Sequence, residues 1–219
     1  MARSRDISKV LSSNSTLATD AEVSASYLTT ASANALYAPV AAGGLVQITP
    51  TSVTATGGSG SISATGAVSF TSASAISLNG CFTSSYRNYQ IVTNITAGTG
   101  SSSIRLRASG SDATASNYVY TSLYQNTSGT VLNNGSSASN TSWGGAGIFD
   151  TSPDGVNNIF IYNPQLASQT TMNFLCVVGD SGLQVVGGGK HTLSTAYDSL
   201  TLFQSGNISG VIRVYGYKN

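Results

Sequence analysis

The chain has 219 residues, a formal net charge of +1 and only 8% charged side chains, where a globular protein averages about a quarter. Near-neutrality, with no basic stripe carrying interleaved aromatics, argues against nucleic-acid binding, and the scarcity of acids and bases argues against catalysis. The sixty-four residues between Glu22 and Arg87 contain no Asp, Glu, Lys or Arg and are largely Ser, Thr, Ala and Gly, so solubility rests on hydroxyls and amides.

The N-terminus begins with positive charge, as a signal peptide does, but its apolar stretch is broken at once by Ser12, Ser13, Asn14 and Ser15. No apolar run approaches the roughly 20 residues that span a bilayer, so the expectation is a chain made in a cytoplasm, with no membrane insertion. Residues 1–42 hold small apolar clusters between polar spacers: Ile7, Val10 and Leu11; Leu17; Val23; Tyr27 and Leu28; Leu36 and Tyr37. Thr19 to Glu22 matches a capping box, and Thr30 can cap a second short stretch that Pro39 stops. Neither stretch reaches the roughly 12–15 residues of a marginally stable isolated helix. The segment reads as an extended arm with at most short helical turns, dependent on a partner or on copies of itself.

Residues 43–66 include Gly43, Gly44, Pro50 and the run Thr56-Gly57-Gly58-Ser59-Gly60-Ser61. Their composition predicts a flexible linker, with Leu45–Ile48 as one optional strand. Residues 67–219 predict a series of short strands: Ala67–Phe70, Tyr89–Ile95, Ser103–Ala108, Tyr118–Gln125, Gly147–Phe149, Ile159–Tyr162, Met172–Val178, Leu183–Val186, Ser199–Phe203 and Gly210–Tyr217. Between them Asn133-Asn134-Gly135, Pro153-Asp154-Gly155, Gly187-Gly188-Gly189 and Ser205-Gly206-Asn207 read as turns or loops. The predicted fold is all-β: an antiparallel, jelly-roll-like β-sandwich behind an N-terminal arm.

The chemistry-bearing residues are few. His191 is the only histidine and reads as a loop or strand-edge residue beside Lys190. Asp150 and Asp154 flank Thr151-Ser152-Pro153 in a segment that reads first as a turn, with calcium binding or an acid/base pair as the alternative readings. Arg105 and Arg107 lie on one strand face, solvated, opposite buried Ile104 and Leu106. Cys81 and Cys176 read as two buried thiols, with a single disulfide as the alternative. No glycine run carries a phosphate-loop ending, and the chain is read as a non-enzyme with no cofactor and no metal. Eleven tyrosines offer flat apolar faces with hydroxyls, among them Tyr86, Tyr89, Tyr118, Tyr120, Tyr124 and Tyr162, either for recognition or for packing between sheets. Trp143, read in a loop, is the first candidate contact residue for a receptor; Tyr120 and Tyr124 are the others.

Three segments carry a resemblance. The opening Arg3-Ser4-Arg5-Asp6-Ile7-Ser8-Lys9-Val10-Leu11-Ser12, followed by Ala18-Thr19-Asp20-Ala21-Glu22-Val23, resembles the start of small virion structural proteins of tailed phages, notably cyanophages. Tyr27-Leu28-Thr29-Thr30 through Ala38-Pro39 resembles segments of phage tail fibres, and Ser205 through Tyr217 resembles the closing strand of their β-sandwich modules. The resemblance implies a homotrimer located in the virion. Its arm would dock through Arg3, Arg5, Asp6, Ile7, Lys9, Val10 and Leu11 onto other virion proteins, such as capsid, portal/adaptor or baseplate. Its sandwich would meet a host-surface glycan or protein. A tail fibre or short spike is the leading expectation, and a capsid decoration protein the alternative.

Overall fold

The structure, a computed structural model, describes residues 44–98, 101–125, 127–144, 149–150, 154–178 and 183–217. The seven residues proposed for docking lie outside these. All regular structure among the described residues is β-strand, as the sequence predicts. The strands are β1 (Leu45–Ile48), β2 (Ser52–Thr56), β3 (Ser59–Ile62), β4 (Val68–Asn79), β5 (Asn88–Ala97), β6 (Ser101–Ala108), β7 (Ser111–Asp112), β8 (Tyr118–Gln125), β9 (Val131–Asn140), β10 (Phe149–Asp150), β11 (Val156–Tyr162), β12 (Thr170–Val177), β13 (Gln184–His191) and β14 (Ser199–Tyr217). No helix of the described residues is long and apolar enough to cross a membrane.

Every pairing is antiparallel, and the main path runs β10-β6-β14-β5-β11-β12-β13-β8-β9. The nineteen-residue β14 is its spine. Its first half, Ser199 to Phe203, lies between β4 and β6, and its second half pairs with β5 on one edge and with β4 and then β1 on the other. Alternation is strict where one face is buried: Tyr89, Ile91, Thr93 and Ile95 of β5 point inward, as do Thr170, Met172, Phe174 and Cys176 of β12. The two ends of the path meet, because the Ile104 and Trp143 backbones exchange hydrogen bonds of 2.7 and 2.9 Å. Trp143 follows β9 in the chain and Ile104 belongs to β6, so the sheet curls over its core and closes on itself.

Four expectations about irregular segments are corrected. Residues 44–66 are not a tether but three strands. β2 and β3 form one edge line along β4, broken only at Gly57 and Gly58, and Val53, Ala55 and Ile62 pack against the core. Ser205-Gly206-Asn207 is not a turn but part of a register break inside β14, between Phe203 and Ile208. These two irregularities are neighbours. Gly57 adopts φ 77, and a Cβ built there would lie 3.3 Å from Ser74 Oγ and 3.8 Å from Asn207 Oδ1. Ser72 of β4 adopts φ 50, and its N–H donates to Ser209 Oγ at 3.0 Å. The glycines, Ser72 and the β14 break therefore form one bend across three adjacent strands, a corner of the kind that turns one sheet into two packed layers. Likewise Asn133-Asn134-Gly135 lies within β9, where Asn133 opposes Leu123 and Gly135 opposes Ser122, leaving Asn134 as the extra residue of a bulge.

The Gly187-Gly188-Gly189 run is also a strand interior, in β13 between β12 and β8. Glycine weakens a strand by itself, but here neighbours occupy the side-chain space. A Cβ on Gly187 would come within 2.7 Å of the Phe174 ring and 2.5 Å of the Thr121 carbonyl. One on Gly189 would come within 2.4 Å of the Val119 carbonyl, 3.0 Å of Tyr120 Cβ and 3.1 Å of Trp143 Nε1. Gly189→Ala is therefore expected to destabilise the fold by about 1–3 kcal/mol through overpacking, visible as a lower midpoint in urea unfolding. An unchanged midpoint would show that the aromatic packing against β13 is looser than described.

Candidate interaction surface

The core takes up most of the residues that the sequence offers for chemistry or contact. Trp143 is 1% exposed, so it is no surface contact residue; its ring meets Tyr118 edge-on at 5.3 Å. Tyr120 is likewise buried, on the inward phase of β8. The Ser, Thr and Gly residues around Trp143 imitate a loop, whereas Tyr120 lies in a predicted strand as expected, and pairing turns both between the layers. Tyr89 and Tyr118 are buried as well: the Tyr118 hydroxyl donates to the Ala113 carbonyl and accepts from Leu106 N–H, both at 2.9 Å. Tyr86, Tyr124 and Tyr162 remain half-buried.

His191 is also corrected. It ends β13 inside the core, 4.5 Å centroid to centroid from Tyr118, with the Tyr197 hydroxyl 3.1 Å from Nδ1. Burial lowers its pKa, opposed in part by a backbone hydrogen bond with Leu193. Cys81 and Cys176 are buried and not joined in a disulfide, and burial pushes the Cys81 pKa far up, keeping the thiol protonated.

Arg105 and Arg107 share a face, opposite the buried Ile104 and Leu106, but they are not simply solvated. Asp112, on β7, pairs with both. Arg107 Nη1 bonds Asp112 Oδ1, Ser77 Oγ at 3.1 Å and Thr201 Oγ1 at 3.0 Å, and Thr201 donates to Asp112 at 2.7 Å. The Arg105 guanidinium lies 4.1 Å from the centre of the Phe203 ring, and its Nε donates to the Thr141 carbonyl. This network ties β4, β6, β7 and β14 together. Asp154 sits at φ 64 and donates its N–H to the Ile95 carbonyl at 3.0 Å, and residues 151–153 of its predicted turn lie outside the described residues. Among the described residues no group of three or more His, Cys, Asp or Glu side chains could hold a metal.

The fold also leaves a cluster of apolar side chains outside. Five of the nine large hydrophobic side chains exposed among the described residues lie together on the outward face of β12, β13, β8 and β9: Leu175, Val177, Val186, Leu123 and Val131. The register explains their grouping. Leu175 opposes Val186, which opposes Leu123, and one step further along the strands Val177, Gln184, Gln125 and Val131 stand in a row. Directly opposed side chains lie about 4.5–5.5 Å apart, so these form continuous ridges. Beside them is a depression of about 130 Å³ lined by Leu123, Tyr124, Gln125, Val131, Gln184 and Val186, none of them charged. Of the three candidate contact residues, Tyr124 alone lines this depression, from the inward phase of β8, where it also packs against the core. The residues that form the ridges were missed, although a signal existed: β12 and β8 carry apolar residues on both phases, Met172, Phe174 and Cys176 on one and Leu175 and Val177 on the other.

The patch also has a position. β1 begins at Leu45 opposite Tyr217, at the strand end that holds Tyr162, Thr171 and Lys190 in successive register. Leu175 and Val177 lie four and six residues along β12 from Thr171, about 13–20 Å toward the other end.

No protein-family model and no curated protein matches the chain. Among solved structures it is similar to the SPRY domain of human HERC1 (TM-score 0.36, 10% identity, covering 78% of this chain and 99% of that one). It is also similar to domain 4 of AbnA, a GH43 extracellular arabinanase from Geobacillus stearothermophilus (TM-score 0.33, 11% identity, covering 76% and 82%). A third similarity is to peanut lectin (TM-score 0.23, 7% identity, covering 78% and 97%). At these scores none of them argues for a function. The class of protein is defined by the described strands themselves: an all-β antiparallel fold.

The buried histidine gives a signed pH dependence. Because the folded state holds the His191 pKa below the ordinary 6.5, the unfolded chain takes up the proton first, and stability falls as pH drops through and below 6.5. Urea midpoints measured from pH 7.5 to 5.5 are expected to decline in the wild type and to decline less in His191→Gln, whatever the variant's baseline stability. Equal slopes would show that His191 protonates freely in the native state.

Proposed function

We propose that this chain is a structural protein of a tailed-phage virion. Residues 1–42 anchor it, and the β-sandwich presents its aliphatic face to the host surface, as one copy in a homotrimeric fibre or short spike. The observation that carries the reading is the polarity of the head: the chain enters β1 at one end of the sheet, and the exposed ridge of Leu123, Leu175, Val177, Val186 and Val131 lies toward the other. Clustered exposed apolar side chains mark an interaction site. The sparsely charged composition and the weakly apolar arm fit a protein that acts by association, with no catalytic step.

A second reading is supported by the same ridge. An uncharged aliphatic surface is one that assembly covers, which suits a capsid decoration protein whose head packs among shell subunits.

Immunogold labelling of intact particles with an antibody to residues 67–219 separates the two. Label on the tail appendage is expected, label over the head supports the decoration reading instead, and unlabelled particles contradict both. In the fibre reading, particles carrying Val186→Glu incorporate the protein normally but adsorb to host cells about tenfold less, a loss of roughly 1.4 kcal/mol of attachment. Unchanged adsorption would exclude the ridge as the host contact.

A further inference from the structure

A second surface is built where two connections meet, at the strand end where β1 begins. The β4–β5 connection brings Ser84, Tyr86 and Arg87 to Gln165 and Leu166 of the β11–β12 connection, because Asn88 opposes Tyr162 across the two strands. These five residues line a depression of about 320 Å³, at the lower bound of volumes that take small ligands.

Its polar groups are oriented. Tyr86 lies against the β14 backbone at Gly216, where a Cβ would come within 2.3 Å of the ring, so only glycine permits this approach. The Tyr86 ring also meets Tyr89 edge-on at 6.2 Å. Tyr89 in turn fixes the loop, its hydroxyl donating to the Thr83 carbonyl at 2.6 Å and accepting from Thr83 N–H at 2.7 Å. Gln165 donates from Nε2 to the carbonyls of Phe82 (2.6 Å) and Tyr197 (3.0 Å), which uses both amide hydrogens and leaves Oε1 as an acceptor.

Arg87 differs from the arginines of β6. Its Nε donates to Asn163 Oδ1 at 2.9 Å, a neutral partner, whereas both ion pairs of the described residues belong to Asp112 with Arg105 and Arg107. The Arg87 guanidinium is exposed and makes no bond from Nη1 or Nη2 to the described residues. Among the described residues no carboxylate lines the depression. A guanidinium held at Nε presents its remaining N–H groups in the fork that matches a carboxylate.

We propose that this depression binds an acidic saccharide. Arg87 would receive the sugar carboxylate, Tyr86 and Leu166 would cover the C–H face of the ring, and Gln165 Oε1 and the Ser84 hydroxyl would take ring hydroxyls. A bare carboxylate needs only the arginine. The aromatic ring and the locked acceptor amide beside it favour a ligand that carries hydroxyls on a flat apolar frame. The site lies apart from the aliphatic ridge and does not depend on the virion reading.

The test is titration of the full chain by two-dimensional NMR with trimers of galacturonate, of glucuronate and of N-acetylneuraminate. The controls are the methyl ester of each trimer and N-acetyl-Asp-amide. The expected result is that at least one acid trimer binds with a Kd of about 1 mM or tighter and shifts the Arg87 Nε and Gln165 side-chain signals. Its ester should bind at least tenfold more weakly, and Arg87→Gln should lose tenfold or more while Arg87→Lys falls between. Because Arg87 is exposed, circular dichroism of these variants is expected to match the wild type. The proposal is overturned if no acid trimer binds, if ester and acid bind alike, if Arg87→Gln leaves affinity unchanged, or if N-acetyl-Asp-amide binds as tightly as the sugar. Particle labelling is an independent outcome: unlabelled particles would remove the virion reading and leave this site standing.

Discussion

The head depends on a closure. The backbone pair between Ile104 and Trp143 joins the two ends of the sheet path, and the Trp143 ring fills the space this encloses, against Tyr118 and close to Gly189 of β13. Around it the core is aromatic and polar by turns: Tyr118 meets His191, His191 meets Tyr197, and the Tyr118 hydroxyl bonds to the backbone on either side of β7, at Leu106 and Ala113. A tryptophan in this position commits the sheet to its curl, because a flattened sheet would leave one of the largest apolar side chains in water. The bend through Gly57, Ser72 and Asn207 follows a few residues along β14 from Leu202, which pairs with Ile104.

Much of the fold was legible in the sequence because one-sided burial writes itself as alternation. Tyr118, Tyr120 and Ser122 against Val119, Thr121 and Leu123, or Ile104 and Leu106 against Arg105 and Arg107, show period two directly, and those strands are where the sequence puts them. The failures share a cause. Gly187 to Gly189, Ser205 to Asn207, Asn133 to Gly135 and Gly57-Gly58 all carry turn composition, and all lie at places where strands bend, bulge or admit a neighbour's ring. Glycine and asparagine signal unusual backbone or close approach, and composition alone does not say whether the chain reverses there or continues.

The candidate surfaces were less legible, for a related reason. A solitary Trp among Ser, Asn and Gly looks like a loop contact, yet Trp143 is core because of its partner Ile104, some forty residues away in sequence. Conversely Leu175, Val186 and Leu123 look like core residues and are exposed, because the register aligns them on the outer face. Arg87 and Gln165 are far apart in the chain and meet only through the pairing of β5 with β11. Where a side chain points could be read from its own strand, but what stands beside it could not.

Function in this account follows from that division of faces. The inner face spends Trp143, Tyr118, Tyr120, His191 and both thiols on cohesion, while the outer face and one strand end carry the features left for contact. The most direct measurement is the fluorescence of the single tryptophan. If Trp143 plugs the closed sheet, native emission is blue-shifted and resists quenching by acrylamide, and both properties are lost only in the global unfolding transition seen by circular dichroism. Emission typical of a water-exposed indole, readily quenched while the strands remain folded, would contradict the closure and return Trp143 to the surface.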